Sequence, residues 1–429
     1  MTIAVSVTVL ALVVIAWTPT ARKRFVVASS SAVVVIGLTV VLVAEPRWML
    51  VPLALAGVLA VSTVAVRASE RPTSRAGAVA RGAAAWLTSL AAIASAVIAG
   101  GAAWALPALV LPDPSGKHTV GSTVIQWDTG VDEVLTAAPG DTRVLVAQLW
   151  YPTEADGPRR PYLESAVVSE AMADQAGLPG FLLDGVAHAE THAIEDAPRV
   201  EGPLPLVLFS PGLGGVRTQN SAWAEDLASH GYLVAALDHP YDSAAVVLED
   251  GTVIRSALTT TGDDETDQRV ADELAGIRAD DLLATLDHLQ SHLGIEVGAV
   301  AAAGHSIGGA AAILAASRDA RVDAVIDIDG LPRGGTPTVP VLAIVAGGGA
   351  GSVESDARYE RALSEVLASC GTRVVVPGTQ HLSFTDAALF LPPLSSLIGS
   401  AGRTAGIEAA NEETRRFLET TFDRASCPG

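Results

Sequence analysis

One serine in this chain stands between glycines in the segment GHSIG, Gly304–Gly308. The pattern G-x-S-x-G does chemistry only where a buried strand runs into it and a helix leaves it. There the turn lifts the hydroxyl to the helix N-terminus, where developing negative charge is favoured. The run AVAAA before and the Ala-rich run after supply that context for Ser306. A plain glycine-serine turn between strand and helix is the competing reading, and the pentapeptide alone does not exclude it. A serine hydroxyl becomes a nucleophile only beside a base. His381, in PGTQHLSF, follows the last apolar strand-like run. An imidazole in that role needs a carboxylate to fix its tautomer. Asp327 or Asp329 at the end of VIDID, and Glu354 or Asp356 in GGGAGSVESD, are the choices. Asp329 is preferred, because it ends its strand beside Gly330, whereas the later loop begins with glycine and alanine. The chain order Ser306, Asp329, His381 is the order expected of such a triad.

A tetrahedral intermediate also needs two backbone N–H donors. Ile307, directly after the serine, supplies one, and Leu213 in FSPGLGG the other, with Gly304 and Gly308 giving the turn its room. FSPGLGG has neither the G-x-G-x-x-G spacing nor the lysine of a phosphate cradle. Two histidine groups, His288 with His292 and His188 with Glu190 and His192, lack a third ligand at recognisable spacing. No metal and no cofactor is expected.

These residues must be carried by a sheet with a common edge. From Leu204 onward, short apolar runs alternate with helical spacing, which predicts a mostly parallel sheet with helices on both faces. The strands are expected at 205–210, 232–238, 298–304, 322–329, 339–347 and 372–378. Helices are expected near 220–230, 267–292, 307–317, 355–369 and 407–423. Two alternating runs, STVIQWD and TRVLVAQLWYP, predict antiparallel edge strands. The segment 162–198 has no strong period and reads as a cap or insertion over the site.

The excess of apolar residues lies at the N-terminus. The chain has 429 residues, 49% of them hydrophobic, and a mean hydropathy of +0.39. Four uncharged runs, 1–21, 25–44, 48–66 and 82–112, each reach the roughly 18–20 residues of a membrane span. They predict a membrane domain over residues 1–112 with four transmembrane helices. Arg22, Lys23 and Arg24 after the first run, and Arg67, Arg71, Arg75 and Arg81 after the third, place those loops in the cytoplasm. The N-terminus and residues 113–429 then lie outside, with the chain held in the cell membrane as a multi-pass protein. Residues 1–112 carry 8 of the 27 basic and 2 of the 47 acidic residues, leaving 19 and 45 downstream, a net charge of −26. That balance argues against a nucleic-acid partner. The two cysteines, Cys370 and Cys427, fall on the oxidising side, where a disulfide or two buried thiols are both readings.

The segments VLFSPGLGGVRTQNSAWAEDLASHGYLVAALDH, GHSIGGA, VIDID and GTQHLSFTD together resemble the platelet-activating-factor acetylhydrolase family of α/β hydrolases, and more distantly cutinase-like polyester hydrolases and lipases. The resemblance spans about residues 142–422 and leaves out the apolar N-terminal region. It implies an α/β-hydrolase fold, with Ser306 as nucleophile, His381 as base, Asp329 as acid, Leu213 and Ile307 as oxyanion donors, and no metal. Pro211 stands where the acetylhydrolases usually have histidine, a feature shared with the cutinase-like SPG. The closing RASCPG is similar to the disulfide-bonded C-terminus of cutinase-like enzymes and implies a Cys370–Cys427 pair. The expected function is a membrane-anchored serine ester hydrolase acting on short to medium acyl esters or lipids. The alternatives are an acyltransferase with the same triad, or a non-catalytic membrane sensor or scaffold with a vestigial hydrolase domain.

Overall fold

The structure, a computed structural model, describes residues 2–18, 37, 48, 50–69, 73–136, 140–258, 261–348 and 357–423. The chain divides into two compact units, Met1–Ala108 and Leu109–Gly429.

The first unit packs three apolar helices, α1 (Thr2–Ala16), α2 (Leu50–Ala68) and α3 (Arg75–Ala105). Val9 and Leu12 meet Leu53, Ala56 and Ala60 and the alanine stripe Ala92, Ala96 and Ala99. Four spans were expected, but among the described residues only α2 and α3 are long and apolar enough to cross a membrane. The first run yields a helix of 15 residues. The reason is local: Pro19 follows Thr18, and the residue before a proline is driven out of helical backbone. The expected span over 25–44 lies almost wholly outside the described residues.

The second unit has an α/β-hydrolase-like fold. Its strands are β1 (Thr119–Asp132), β2 (Thr142–Thr153), β3 (Arg159–Pro161), β4 (Glu190–Glu195), β5 (Leu204–Ser210), β6 (Leu233–Asp238), β7 (Ala245–Val247), β8 (Val253–Arg255), β9 (Val297–His305), β10 (Ala324–Ile328), β11 (Val341–Gly347) and β12 (Gly371–Pro377). Ten of them form one sheet in the order β12-β11-β10-β9-β5-β6-β2-β1-β4-β3, and β7 pairs with β8 apart from it. From β12 to β6 all neighbours are parallel, so the C-terminal ends of β5, β9, β10 and β12 share an edge. β2 runs antiparallel to both β6 and β1.

Helix α4 (Ala166–Gln175) precedes β4, and α5 (Ser221–Ser229), α6 (Asp264–Asp287), α7 (Ile307–Arg318), α8 (Ala357–Leu367) and α9 (Ala405–Asp423) complete the layers. Strand alternation sends successive side chains to opposite faces. Val207 and Phe209 of β5 therefore pack with Trp223 and Leu227 of α5 and Ala410 and Leu418 of α9. Leu206 and Leu208 pack with Leu282 and Leu286 of α6 and Ile313 of α7.

Two expectations about the N-terminal side of this unit change. β1 and β2 are antiparallel as expected but are not the edge, because β4 adds in parallel to β1 and β3 pairs with β4. The segment 162–198 is thus partly sheet. Its remainder, α4 and the turns at Gly180–Leu183 and Asp184–Ala187, packs Val168, Ala171 and Leu183 with Val216 and Ala222 beside the loop after β5.

Candidate active site

Ser306 takes φ 58° and ψ −125°, in the left-handed region that a side chain avoids, between the end of β9 and the first residue of α7. Its N–H donates to Ile328 O of β10 at 2.9 Å, which pins the turn to the neighbouring strand. A Cβ on Gly304 would fall 2.1 Å from the Gly308 carbonyl carbon, and one on Gly308 would fall 1.9 Å from Ser210 O. Glycine is required at both positions by contact. The side chain of Ser306 makes no capping bond to its own helix.

His381 opens a short turn, His381–Phe384, after β12. Its Nδ1 lies 2.6 Å from Asp329 Oδ2. Asp329 is buried, and its other oxygen accepts from Ala346 N at 2.7 Å, so both carboxylate oxygens are satisfied and aimed. Asp327 points elsewhere: its Oδ1 accepts from Gly330 N at 3.0 Å under the serine turn. Burial, and then the charge of Asp329, push the Asp327 carboxyl well above the usual range. Glu354 and Asp356, the competing acids, lie outside the described residues.

The loop after β5 comes close to the serine: a Cβ on Gly212 would stand 3.6 Å from Ser306 Cβ. The N–H groups of Gly212, Gly214 and Gly215 are committed to Gln219 Oε1, Asp242 Oδ1 and Gly212 O, at 3.2, 3.3 and 2.9 Å. Among the described residues no acceptor is found for the N–H of Leu213 or of Ile307.

Sequence reasoning missed the residues that fasten these parts. His305 accepts at Nδ1 from Gln219 Nε2 (3.1 Å) and donates from Nε2 to His381 O (3.0 Å), with its ring 4.4 Å from that of His381. Burial and the neighbouring His381 push its pKa down to about 3, so it is neutral. Behind the loop, Arg278 of α6 reaches Asp242, Ser210 and the carbonyls of Pro211 and Gly212. Ser210 Oγ also pairs with His239 Nε2 at 2.9 Å, and His239 Nδ1 with Asp281 at 2.7 Å. Asp281 is held in turn by Arg143, which also meets Glu133. One signal in the sequence pointed there: Arg278 falls four residues after Leu274 and four before Leu282, on the apolar stripe of α6, where a charge must find a buried partner.

The other singled-out histidines have structural partners. His288 stacks on Trp127 at 4.4 Å and on His292 at 5.2 Å. His192 bonds to the buried Glu225 at 2.9 Å. Cys370 is disulfide-bonded, and Cys427 lies outside the described residues.

Comparison with known proteins agrees with this architecture. Residues 108–268 match the family described as platelet-activating factor acetylhydrolase, isoform II. A ferulic acid esterase from Streptomyces cinnamoneus superposes with a TM-score of 0.60 at 30% identity, over 74% of this chain and 92% of its own. Over residues 108–268 the chain is similar to the platelet-activating factor acetylhydrolase isoform II family, and its fold is that of the α/β hydrolases. Among curated members of the family, a probable 1-alkyl-2-acetylglycerophosphocholine esterase of Arthroderma benhamiae is 27% identical over 258 residues, 56% of this chain and 63% of that protein. The platelet-activating factor acetylhydrolase of Canis lupus familiaris is 26% identical over 51% of this chain and 54% of its own length. The chain thus covers less than two thirds of either curated relative. The family match contains the loop after β5 and ends before Ser306.

Proposed function

We propose that this chain is a serine carboxylic-ester hydrolase, held at a membrane by its N-terminal helices and acting on short to medium acyl esters or lipids. The contact between His381 Nδ1 and Asp329 Oδ2 carries the reading, because a buried carboxylate on an imidazole, on the sheet edge that also carries a strained serine, is the arrangement of a general base and its orienter. In this reading Ser306 Oγ adds to the ester carbonyl while His381 Nε2 takes its proton. The Leu213 and Ile307 N–H groups hold the resulting oxyanion. Collapse expels the alcohol, protonated by His381, and leaves an acyl-serine. Water activated by the same imidazole then releases the acid and restores Ser306. Asp329 keeps the proton on Nδ1 throughout.

The names of the relatives support an ester substrate: one is named a probable 1-alkyl-2-acetylglycerophosphocholine esterase, another a ferulic acid esterase. Helices α2 and α3 support the anchor by length and composition. Ser306→Ala is expected to abolish p-nitrophenyl ester turnover while thermal unfolding stays within a few degrees of the parent. A fluorophosphonate probe applied outside intact cells should label the parent and not the variant. Turnover unchanged in the purified variant would sink the proposal.

A further inference from the structure

We propose that Arg278, in the middle of α6, is a positioning residue that holds the peptide between Gly212 and Leu213 in the orientation an oxyanion donor needs. The inference rests on the ester-hydrolase reading and adds a part to it. A peptide unit is planar and trans, so its C=O and N–H point in opposite directions. Whatever fixes Gly212 O therefore fixes the direction of Leu213 N–H.

Arg278 Nη2 donates to Gly212 O at 3.1 Å, and its Nη1 donates to Pro211 O and to Ser210 Oγ. The remaining edge of the guanidinium binds Asp242 twice, Nε to Oδ2 at 2.6 Å and Nη2 to Oδ1 at 2.7 Å. Asp242 Oδ1 also accepts from Gly214 N at 3.3 Å, on the far side of Leu213. One ion pair thus grips the carbonyl before Leu213 and the N–H after it. If that peptide turned over, its carbonyl would face the substrate oxygen and its N–H would be lost to the site.

Arg278 and Asp242 are both buried, so these bonds do not compete with water. The grip needs the planar fork of arginine. A lysine ammonium is a point donor and cannot bind the carboxylate on two sides while reaching two carbonyls. Ser210 is positioned from behind by His239, whose Nδ1 faces Asp281 and whose Nε2 takes the Ser210 hydroxyl. The network beneath the loop leaves Arg278 Nη1 a fixed partner on the strand.

The test uses the full chain in detergent. Fluorophosphonate labelling of Ser306 in the parent comes first, followed by kcat, KM and inhibition by a trifluoromethyl ketone, which forms an oxyanion on the serine. Two variants are compared, Arg278→Lys and the charge-free pair Arg278→Met with Asp242→Leu, which leaves no buried charge unpaired. Both should lower kcat by about tenfold to a hundredfold, less than the roughly hundredfold to thousandfold loss that follows outright removal of an oxyanion donor. KM should stay within about threefold, and ketone affinity should fall in parallel with kcat/KM. A role confined to packing would move the melting temperature without that parallel.

A folded Arg278→Lys labelled and turning over at the parent rate would overturn the clamp and leave the esterase reading intact. So would variants that lose the fold together with turnover, since they assign Arg278 to core stability. An unlabelled parent would overturn the esterase reading itself, and the clamp with it.

Discussion

Asp327 and Asp329 stand two residues apart at the end of β10, and only Asp329 meets the His381 imidazole. Asp329→Asn keeps the shape but cannot hold the imidazole proton on Nδ1, and kcat should fall on the order of 10³- to 10⁴-fold. Asp327→Asn should leave kcat within a few-fold. Its carboxyl is already pushed toward the protonated form, and an amide oxygen can still accept from Gly330 N. Steady-state rates of the two variants check the assignment of the acid. His305 carries a separate prediction. Its imidazole stays neutral in the fold down to about pH 3, but in the unfolded chain it protonates near its ordinary 6.5. A group whose pKa is lowered by folding stabilises above its unfolded pKa, and that stability is lost as pH falls toward the folded value. The fold should weaken below about pH 6.5 by up to about 1.4 kcal/mol per pH unit from this one group. Denaturant midpoints between about pH 7 and 4 should decline less steeply in His305→Gln than in the parent.

The strands were legible because burial on both faces of a parallel sheet leaves a continuous apolar run that polar residues interrupt only at the ends. AVAAA, VIDI and VLAIVAG are such runs, and β9, β10 and β11 coincide with them to within two residues. The places of Ser306, Asp329 and His381 in the fold were legible for the same reason, since each follows the end of such a run by no more than four residues. The segment 162–198 was not, because β4 is only six residues long and alternates weakly, and nothing local says that it pairs with β1. The network around Arg278 was hidden for a different reason. Its members, from Glu133 to Asp281, come from four distant segments, and only the fold makes them neighbours. The join between β9 and α7 is where local geometry leaves least freedom. Gly308→Ala would set a Cβ 1.9 Å from Ser210 O, and forcing it in should cost about 1–3 kcal/mol or more and lower turnover. Thermal melts and p-nitrophenyl ester rates of that variant measure both effects.

Each unit has a core of its own, and those of residues 109–429 include Leu109 and Leu111 at its start. Residues 109–429 expressed alone should therefore fold, melt near the temperature of the full chain, and turn over a soluble p-nitrophenyl ester at a similar rate. In cell fractions that piece should appear with soluble protein, while the full chain follows the membrane. A melting temperature many degrees lower would show that the catalytic unit depends on the N-terminal helices. The strong acidity belongs to this second unit, and it would keep an anchored enzyme from lying flat on anionic lipid by charge alone. The crowding about the serine turn has a further consequence for how such a chain can change over generations. With Gly304 and Gly308 closed against carbonyl groups and Gly309 against Asp327, a side chain at any of the three would collide with its neighbours, and single-codon changes there should be purged. Heritable variation in what the enzyme accepts is therefore channelled into segments that do not touch the turn, chiefly α4 and the short turns after it. Descendants of this chain should diverge there first.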